Sequence, residues 1–457
     1  MTAVIAAVPR DTSKDAQSAR PVPARLAAAP AMLTLGDPGY DEARTVWNAM
    51  VDRRPRIIAR CAGAGDVVTA VRTARDLGLE IAVRCGGHSV LGLAVPDDGL
   101  MIDLTPMDAV RVDPARRRAV VQGGALLGAL DRAAQRYGLA TTAGNVSHTG
   151  VGGLTLGGGM GWLARQYGLA CDNVISYRVV TASGRVLRAS RAEHPDLYWG
   201  LRGGGGNFGV VVEFEFRLHP TGTRALVAEH TFGPEQAVAV LRGWRDLAAG
   251  APRPATFTAS VRDGRVTAGF VWTGDPRRGR LLAAELGALG EPLARRVAET
   301  SYLDLQSRDD TPQGHAKRRY WKGHYLRALP DAAIGALLTG GDGGPSVSLQ
   351  AHGGAIADVP DDATAFGHRD TAFEYVAATS WINPAEDQAR MAAARRHAAA
   401  IAPFASGAYV NALSDEGAEG LRRAYPGRKL ARLVAVKDAY DPDNVFHLNQ
   451  NIPPSRP

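Results

Sequence analysis

Two stretches of this chain carry almost no side-chain bulk: TGVGGLTLGGGMGW (residues 149–162) and RGGGGNFGVV (residues 202–211). A third, VRCGGHSVLG (residues 83–92), sets a histidine directly behind two glycines in a turn after an apolar run. A residue without a Cβ lets backbone amides converge on a phosphate and lets a flat ring lie against the chain. Glycine runs also serve ordinary turns and close packing. With one of the three beside His88, they ask for a bulky partner that reaches the backbone from outside. The familiar phosphate loops do not account for them. No GxxxxGK[ST] occurs. Neither long run sits clearly between a strand and the helix it opens, with an acidic residue ~20 positions on, as a dinucleotide GxGxxG requires.

The remaining properties narrow the class. A chain of 457 residues exceeds one ordinary core and predicts two units. Its net charge of +7 is a mild bias, and its arginine clusters (residues 52–56, 115–119 and 316–322) are scattered, so no nucleic-acid partner is expected. Cys61, Cys85 and Cys171 show no CxxC spacing, which speaks against a disulfide framework or zinc site and fits a reducing, cytoplasmic setting. The histidines show no HExxH and the serines no GxSxG, so no metal is expected. No window resembles a membrane span or a secretory leader. The first ~35 residues, rich in Ala, Pro, Ser and charge, predict a loose tail.

Periodicity gives a coarse outline. Residues 40–76 space their apolar side chains as a helix does, with Val67, Val68, Val71 and Ala74 on one face. LEIAVR reads as a buried strand, and RRRAVVQGGALLGALDRAAQ as a strand running through Gly123 and Gly124 into an amphipathic helix. VISYRVVTASGRVLRAS reads as a hairpin turning at Ser183-Gly184, and NFGVVVEFEFRLHP as a long alternating strand. Beyond Arg224, segments that alternate like antiparallel strands mix with helical ones, and the chain closes with a helix and an Asn- and Pro-punctuated loop.

The segments RPRIIARC, VRCGGHS, VSHTGVGGLTLGGGMGWLARQYGLACDNV, HPDLYWGLRGGGGNFGVV and YDPDNVFHLNQNI occur in this order. With them the chain resembles the berberine-bridge-enzyme-like FAD-linked oxidases of the vanillyl-alcohol-oxidase (PCMH) superfamily, from about residue 40 to residue 454. The resemblance implies an α+β fold: a PCMH-type FAD-binding domain of two subdomains plus an antiparallel-sheet substrate domain covered by helices. The expected boundaries are a tail over 1–36, the FAD domain over 37–223, the substrate domain over 224–428 and a terminal segment over 429–457 that returns to the FAD domain. It also implies that His88 bonds covalently to the 8α carbon of FAD. Arg84, Cys85, Gly86, Gly87, Ser89, Thr149, Gly150, Gly152, Gly153, Gly157, Gly158, Gly161, Trp162, Val210 and Val211 would line the cofactor, with Asn449 and Asn451 closing the site. Some members add a second bond from a cysteine just upstream of the GVGG run. That position is Val146 here, so a single link and no cysteinyl bond are expected, and Cys171 is read as a packing residue.

The same resemblance implies hydride transfer from a C–H, alcohol or amine carbon of a small natural-product-like substrate, in secondary metabolism, with dioxygen as acceptor and a monomer or homodimer as the assembly. A dehydrogenase, an oxygenase and a flavin-containing sequestration protein share the fold. The family's aromatic-x-Asn-Tyr motif, a common source of the base, reads AYVNALSDEG here: Tyr409 and Asn411 match, while Ala412 replaces the second tyrosine. Gln350, His352 and Tyr375 fall on expected inward strand positions as alternative catalytic groups, with Tyr320 and Trp321 as walls. An imidazole titrates near neutrality, which favours His352 as base.

Overall fold

The computed structural model describes residues 30–311, 314–341 and 343–456. At its N-terminal end three strands run parallel, with Leu100–Asp103 between Ile57–Arg60 and Ile81–Arg84. All four residues of Leu100–Asp103 are buried, as expected of a central parallel strand covered on both faces. Helix Ala64–Asp76 lays Val67, Ala70, Val71 and Ala74 on this sheet. The helical reading of residues 40–76 holds for the second half only. The first half divides into helix Tyr40–Arg44 and strand Ile57–Arg60, because Ile57 and Ile58 gain ladder partners in Leu100 and Met101 that local spacing does not reveal. Ala31–Leu33, placed by composition in the tail, pairs antiparallel with residues 58–60. Residues 1–29 of that tail lie outside the described residues.

A five-stranded antiparallel sheet follows, in the order Val110–Asp113, Arg118–Gln122, Val210–Arg217, Val174–Val180, Val186–Ser190. The expected hairpin is its edge, and Gly184 at the turn has φ 75°. The third sheet has seven antiparallel strands, in the order Ala294–Ser301, Arg224–Phe232, Arg265–Thr273, Ala255–Arg262, Ser346–Ala351, Phe373–Trp381, Arg318–Leu326. Helices Ala237–Ala249, Pro276–Gly287, Asp331–Leu337 and Asp387–Ile401 cover one face and bury Trp244, Phe257, Phe270 and Phe373 between them and the sheet. The fold is α+β with antiparallel sheets, as the resemblance implied. Among the described residues no helix is long and apolar enough to cross a membrane.

Two buried polar ties hold these parts in register. Helix Arg428–Tyr440 brings Lys437, fully buried, to the carbonyls of Asn207 (2.9 Å) and Phe446 (3.2 Å) and to the carboxylate of Asp441 (2.6 Å). Asp441 in turn accepts the amides of Val445 and Phe446. From the other side, Gln306 donates to Asp131 Oδ2 (2.9 Å) and to the Gly144 carbonyl (3.1 Å). Asp131 Oδ1 and Gln306 Oε1 have no partner, an arrangement that suits a protonated acid, and burial pushes the Asp131 carboxyl up to about 7.

Replacing Lys437 by Met strands Asp441 as a buried charge, so urea unfolding should show a loss of about 3–5 kcal/mol. Asp131 gives a pH signature. Between the ordinary Asp value near ~4 and its raised folded value, the unfolded chain releases a proton that the folded chain keeps. Its contribution to stability is complete below that range and is lost as pH rises through about 7. Asp131→Asn should therefore gain on the parent protein in urea midpoint between pH 5 and pH 8; parallel curves would refute the assignment.

Candidate functional site

The three glycine-rich segments converge on one cavity of about 510 Å³. Their glycines do two different things. At Gly86 and Gly150 backbone touches backbone: a Cβ on either would lie 2.4 Å from the amide nitrogen of the other. At Gly153 and Gly206, both in the cavity wall, a Cβ would meet no atom within 4 Å. The first pair closes the seam between the turns. The second pair keeps space free for a ligand that lies on the backbone, which is the cradle a flavin nucleotide needs.

His88 stands at the rim. Its ring stacks on Trp47 with centroids 4.8 Å apart and planes at 14°. Trp47 is held by the Gly87 carbonyl through its amide and carries the Arg319 guanidinium 3.8 Å over its other face. Nε2 of His88 lies 2.7 Å from His148 Nδ1, and Nδ1 lies 3.4 Å from the Thr149 hydroxyl. Burial, reinforced by His148 and Arg319, pushes the His88 pKa down to about 3, so the ring is neutral and nucleophilic at physiological pH. Cys85 also borders the cavity, but burial pushes its thiol up to about 11, away from the reactive thiolate. Val146 lines the wall with no sulfur to offer.

Of the remaining expected residues, Gly87, Ser89, Thr149, Gly152, Val210, Val211 and Asn449 line the cavity, and Asn449 Oδ1 is buried without a hydrogen-bond donor. Others lie outside its wall. Arg84 spends its guanidinium on the carbonyls of Ala43 and Thr45. Gly157, Gly158 and Gly161 sit where a Cβ would strike Asn411, Phe366 and the Ala143 carbonyl, so they serve packing. Asn451 keeps a buried, unpartnered Oδ1 away from the wall.

A second chamber of about 320 Å³ opens under the helix-free face of the seven-stranded sheet. Asn145 lies on its wall and the next residue, Val146, on the wall of the first, and Asn145 Nδ2 donates to Gln350 Oε1 at 3.1 Å. Trp162 lines this chamber instead of the first. Three buried polar atoms here lack partners: Trp162 Nε1, Gln350 Nε2 and Asn145 Oδ1. Arg308 pairs with Glu229 at 2.6 Å, and Glu374 shows its carboxylate beside them.

The expected catalytic set separates accordingly. Gln350 faces the chamber, but Tyr375 points the other way, into the helix-covered core, with its hydroxyl 2.6 Å from His397 Nδ1. Side chains alternate along a strand, so its neighbours Glu374 and Val376 take the chamber face. His352 lines neither cavity: it is buried behind Glu374, with Nε2 3.7 Å from that carboxylate. Tyr409 and Asn411 line the first cavity, the tyrosine hydroxyl accepting from the Gly159 amide and from Asn411 Nδ2. Trp321 joins that wall, while Tyr320 is buried elsewhere and donates to Asp415. Sequence reasoning passed over Trp47, His148 and Glu374, and singled out the run 202–211 without naming its glycines at 204–206 individually. His148 stands two residues before the GVGG run and Glu374 in a plainly alternating strand, so both had a signal; Trp47 had none.

Comparisons with known proteins identify the family. Residues 55–190 match the family profile described as FAD binding domain, and residues 408–453 the one described as berberine and berberine like. The chain is 33% identical over 444 residues to (R)-6-hydroxynicotine oxidase of Paenarthrobacter nicotinovorans, covering 92% of this chain and 95% of that one. It is 31% identical over 444 residues to an FAD-linked oxidoreductase of Bacillus subtilis (strain 168), covering 93% and 97%. The crystal structure of 6-hydroxy-D-nicotine oxidase from Arthrobacter nicotinovorans superposes with a TM-score of 0.83 at 30% identity, over 94% of this chain and 99% of that one. Cradle, rim histidine and these matches together place the chain in the berberine-bridge-enzyme-like family of FAD-linked oxidoreductases.

Proposed function

We propose that this oxidoreductase carries FAD on a single covalent bond to His88 and oxidises a small, nitrogen-bearing or hydroxylated molecule seated in the polar chamber, with dioxygen as acceptor. The observation that carries the reading is the pairing of a backbone cradle that has a neutral His88 on its wall with a chamber whose buried polar groups lack partners, Val146 lining the one and Asn145 the other. Bound FAD supplies a two-electron acceptor for a substrate hydride. The residues supply binding, orientation and proton handling.

The amides of the glycine turns suit the pyrophosphate, and Asn449 Oδ1 offers an acceptor to an N–H or O–H of the cofactor. Cys85 stays a thiol and Val146 has none, which limits attachment to one link. In the chamber, Trp162 Nε1–H and Gln350 Nε2–H donate to substrate oxygen or nitrogen while Asn145 Oδ1 accepts, fixing the carbon to be oxidised. Glu374, on the chamber wall, is the group placed to take the substrate's N–H or O–H proton. Glu229, Asp309 and Glu374 outnumber Arg308, a lining that favours a cationic amine over an anion. The relative named for 6-hydroxynicotine supports the same preference.

Two measurements test this. Acid-precipitated wild-type protein should keep its flavin in the pellet and His88→Ala should release it; flavin freed from the wild type would end the covalent reading. Glu374→Gln should slow anaerobic flavin reduction by about 100-fold or more with the oxidised spectrum unchanged. An unaltered rate would remove Glu374 from the proton step.

A further inference from the structure

His88 and His148 meet nitrogen to nitrogen, with Nε2 of the first 2.7 Å from Nδ1 of the second and ring centroids 4.7 Å apart. The far nitrogen of His148, Nε2, receives the backbone N–H of Thr311 at 3.2 Å. A nitrogen that accepts an amide proton holds a lone pair there, so the hydrogen-bond partners assign the hydrogen of His148 to Nδ1, directed at His88. Nε2 of His88 is then an acceptor. The nitrogen left on the cavity side is Nδ1, next to the Thr149 hydroxyl.

We infer that His148 is a positioning residue for the flavin bond: its Nδ1–H holds Nε2 of His88 as an acceptor, turns Nδ1 toward the cofactor and keeps the attached imidazole uncharged. The inference rests on the histidyl link proposed above. In that step one C–H bond of the 8α methyl group and the Nδ1–H bond of His88 break and one C–N bond forms. The two electrons pass to the flavin ring and on to dioxygen, which leaves with the two protons as hydrogen peroxide. His148 neither gains nor loses a proton.

The surroundings work in the same direction. An imidazole alkylated at Nδ1 becomes charged only if Nε2 takes a proton, and that proton would face the His148 N–H across 2.7 Å. The charged groups facing His88 are Arg319, stacked on Trp47, and Asp310. Arg319 opposes a second positive charge. Asp310 is engaged by the Ser147 amide (2.8 Å) and hydroxyl (2.6 Å), which anchors the turn that carries His148. Consecutive residues of one segment thereby fasten this turn, Asp310 at Ser147 and Thr311 at His148 itself.

The test compares His148→Asn, whose side-chain amide can donate from near the Nδ1 position, with His148→Gln, whose amide reaches the Nε2 position instead. Full-length proteins are purified with their flavin, incubated in air with added FAD and sampled over time for acid-stable flavin. The Asn variant should attach at close to the wild-type rate and the Gln variant about tenfold more slowly, the loss of one good hydrogen bond. In the linked fraction of the Gln variant the flavin reduction potential should rise above that of wild type as pH falls and the imidazole takes up a proton, beyond the slope common to every flavin couple. A bulk packing role would move both variants alike, so equal attachment rates and a potential difference from wild type that does not change with pH would overturn the inference while leaving the link intact. Acid-labile flavin in the wild type would instead overturn the link itself, and this inference with it.

Discussion

The contact between Gly86 and Gly150 is the constraint on which the site depends. Two turns, one leaving the parallel strand Ile81–Arg84 and one entering the short helix Val151–Leu156, meet with no side chain between them. That approach sets His88 against His148 and Thr149, and it opens the cradle on the other side of the seam. Neither turn can shift without the other, because the second is also fastened to the start of helix Leu127–Gln135 through the carbonyls of Ser147 and Thr149. The position of the rim histidine is therefore a backbone property, insensitive to side-chain repacking nearby.

A second theme is that distant segments complete the site through buried polar ties and not through apolar contact alone. Asn207 joins the 204–209 turn to the terminus: its side-chain amide serves the carbonyls of Gly204 and Gln450, and its oxygen accepts the amide of Ile452. Helix Tyr302–Ser307 and the segment after it do the same from the substrate side, with Gln306, Asp310 and Thr311 each fastening one point of residues 144–148. Directional bonds of this kind specify a register that packing leaves loose. They also hold in place the segment that gives Val146 to the cradle and Asn145 to the chamber.

Much of this could be read from the chain alone. The alternating strands, the Ser183-Gly184 hairpin and the glycine motifs carry their structure locally, through periodicity and the freedom of residues without a Cβ. The expected failures came where the deciding partner is remote. Ile57–Arg60 is a strand only because Leu100–Asp103 accepts it. Tyr375 and Glu374 are indistinguishable by alternation, which separates two faces but does not say which one the helices cover. His352 falls beyond the last strand residue, Ala351, where the two-residue period no longer governs direction. Gly157, Gly158 and Gly161 look like cradle residues in sequence and serve instead the seating of Asn411, Phe366 and Ala143.

The composition of the cavity wall has a bearing on how the protein is made. Its lining begins with Trp47 and ends with Phe446, Leu448, Asn449 and Gln450, within the last dozen residues of the 457. Lys437 lacks one of its partners until Phe446 supplies its carbonyl. The nascent chain can fold its parallel strands and its hairpin early. It cannot enclose a cofactor until residues 446–450 have joined the wall, so loading follows the docking of this segment.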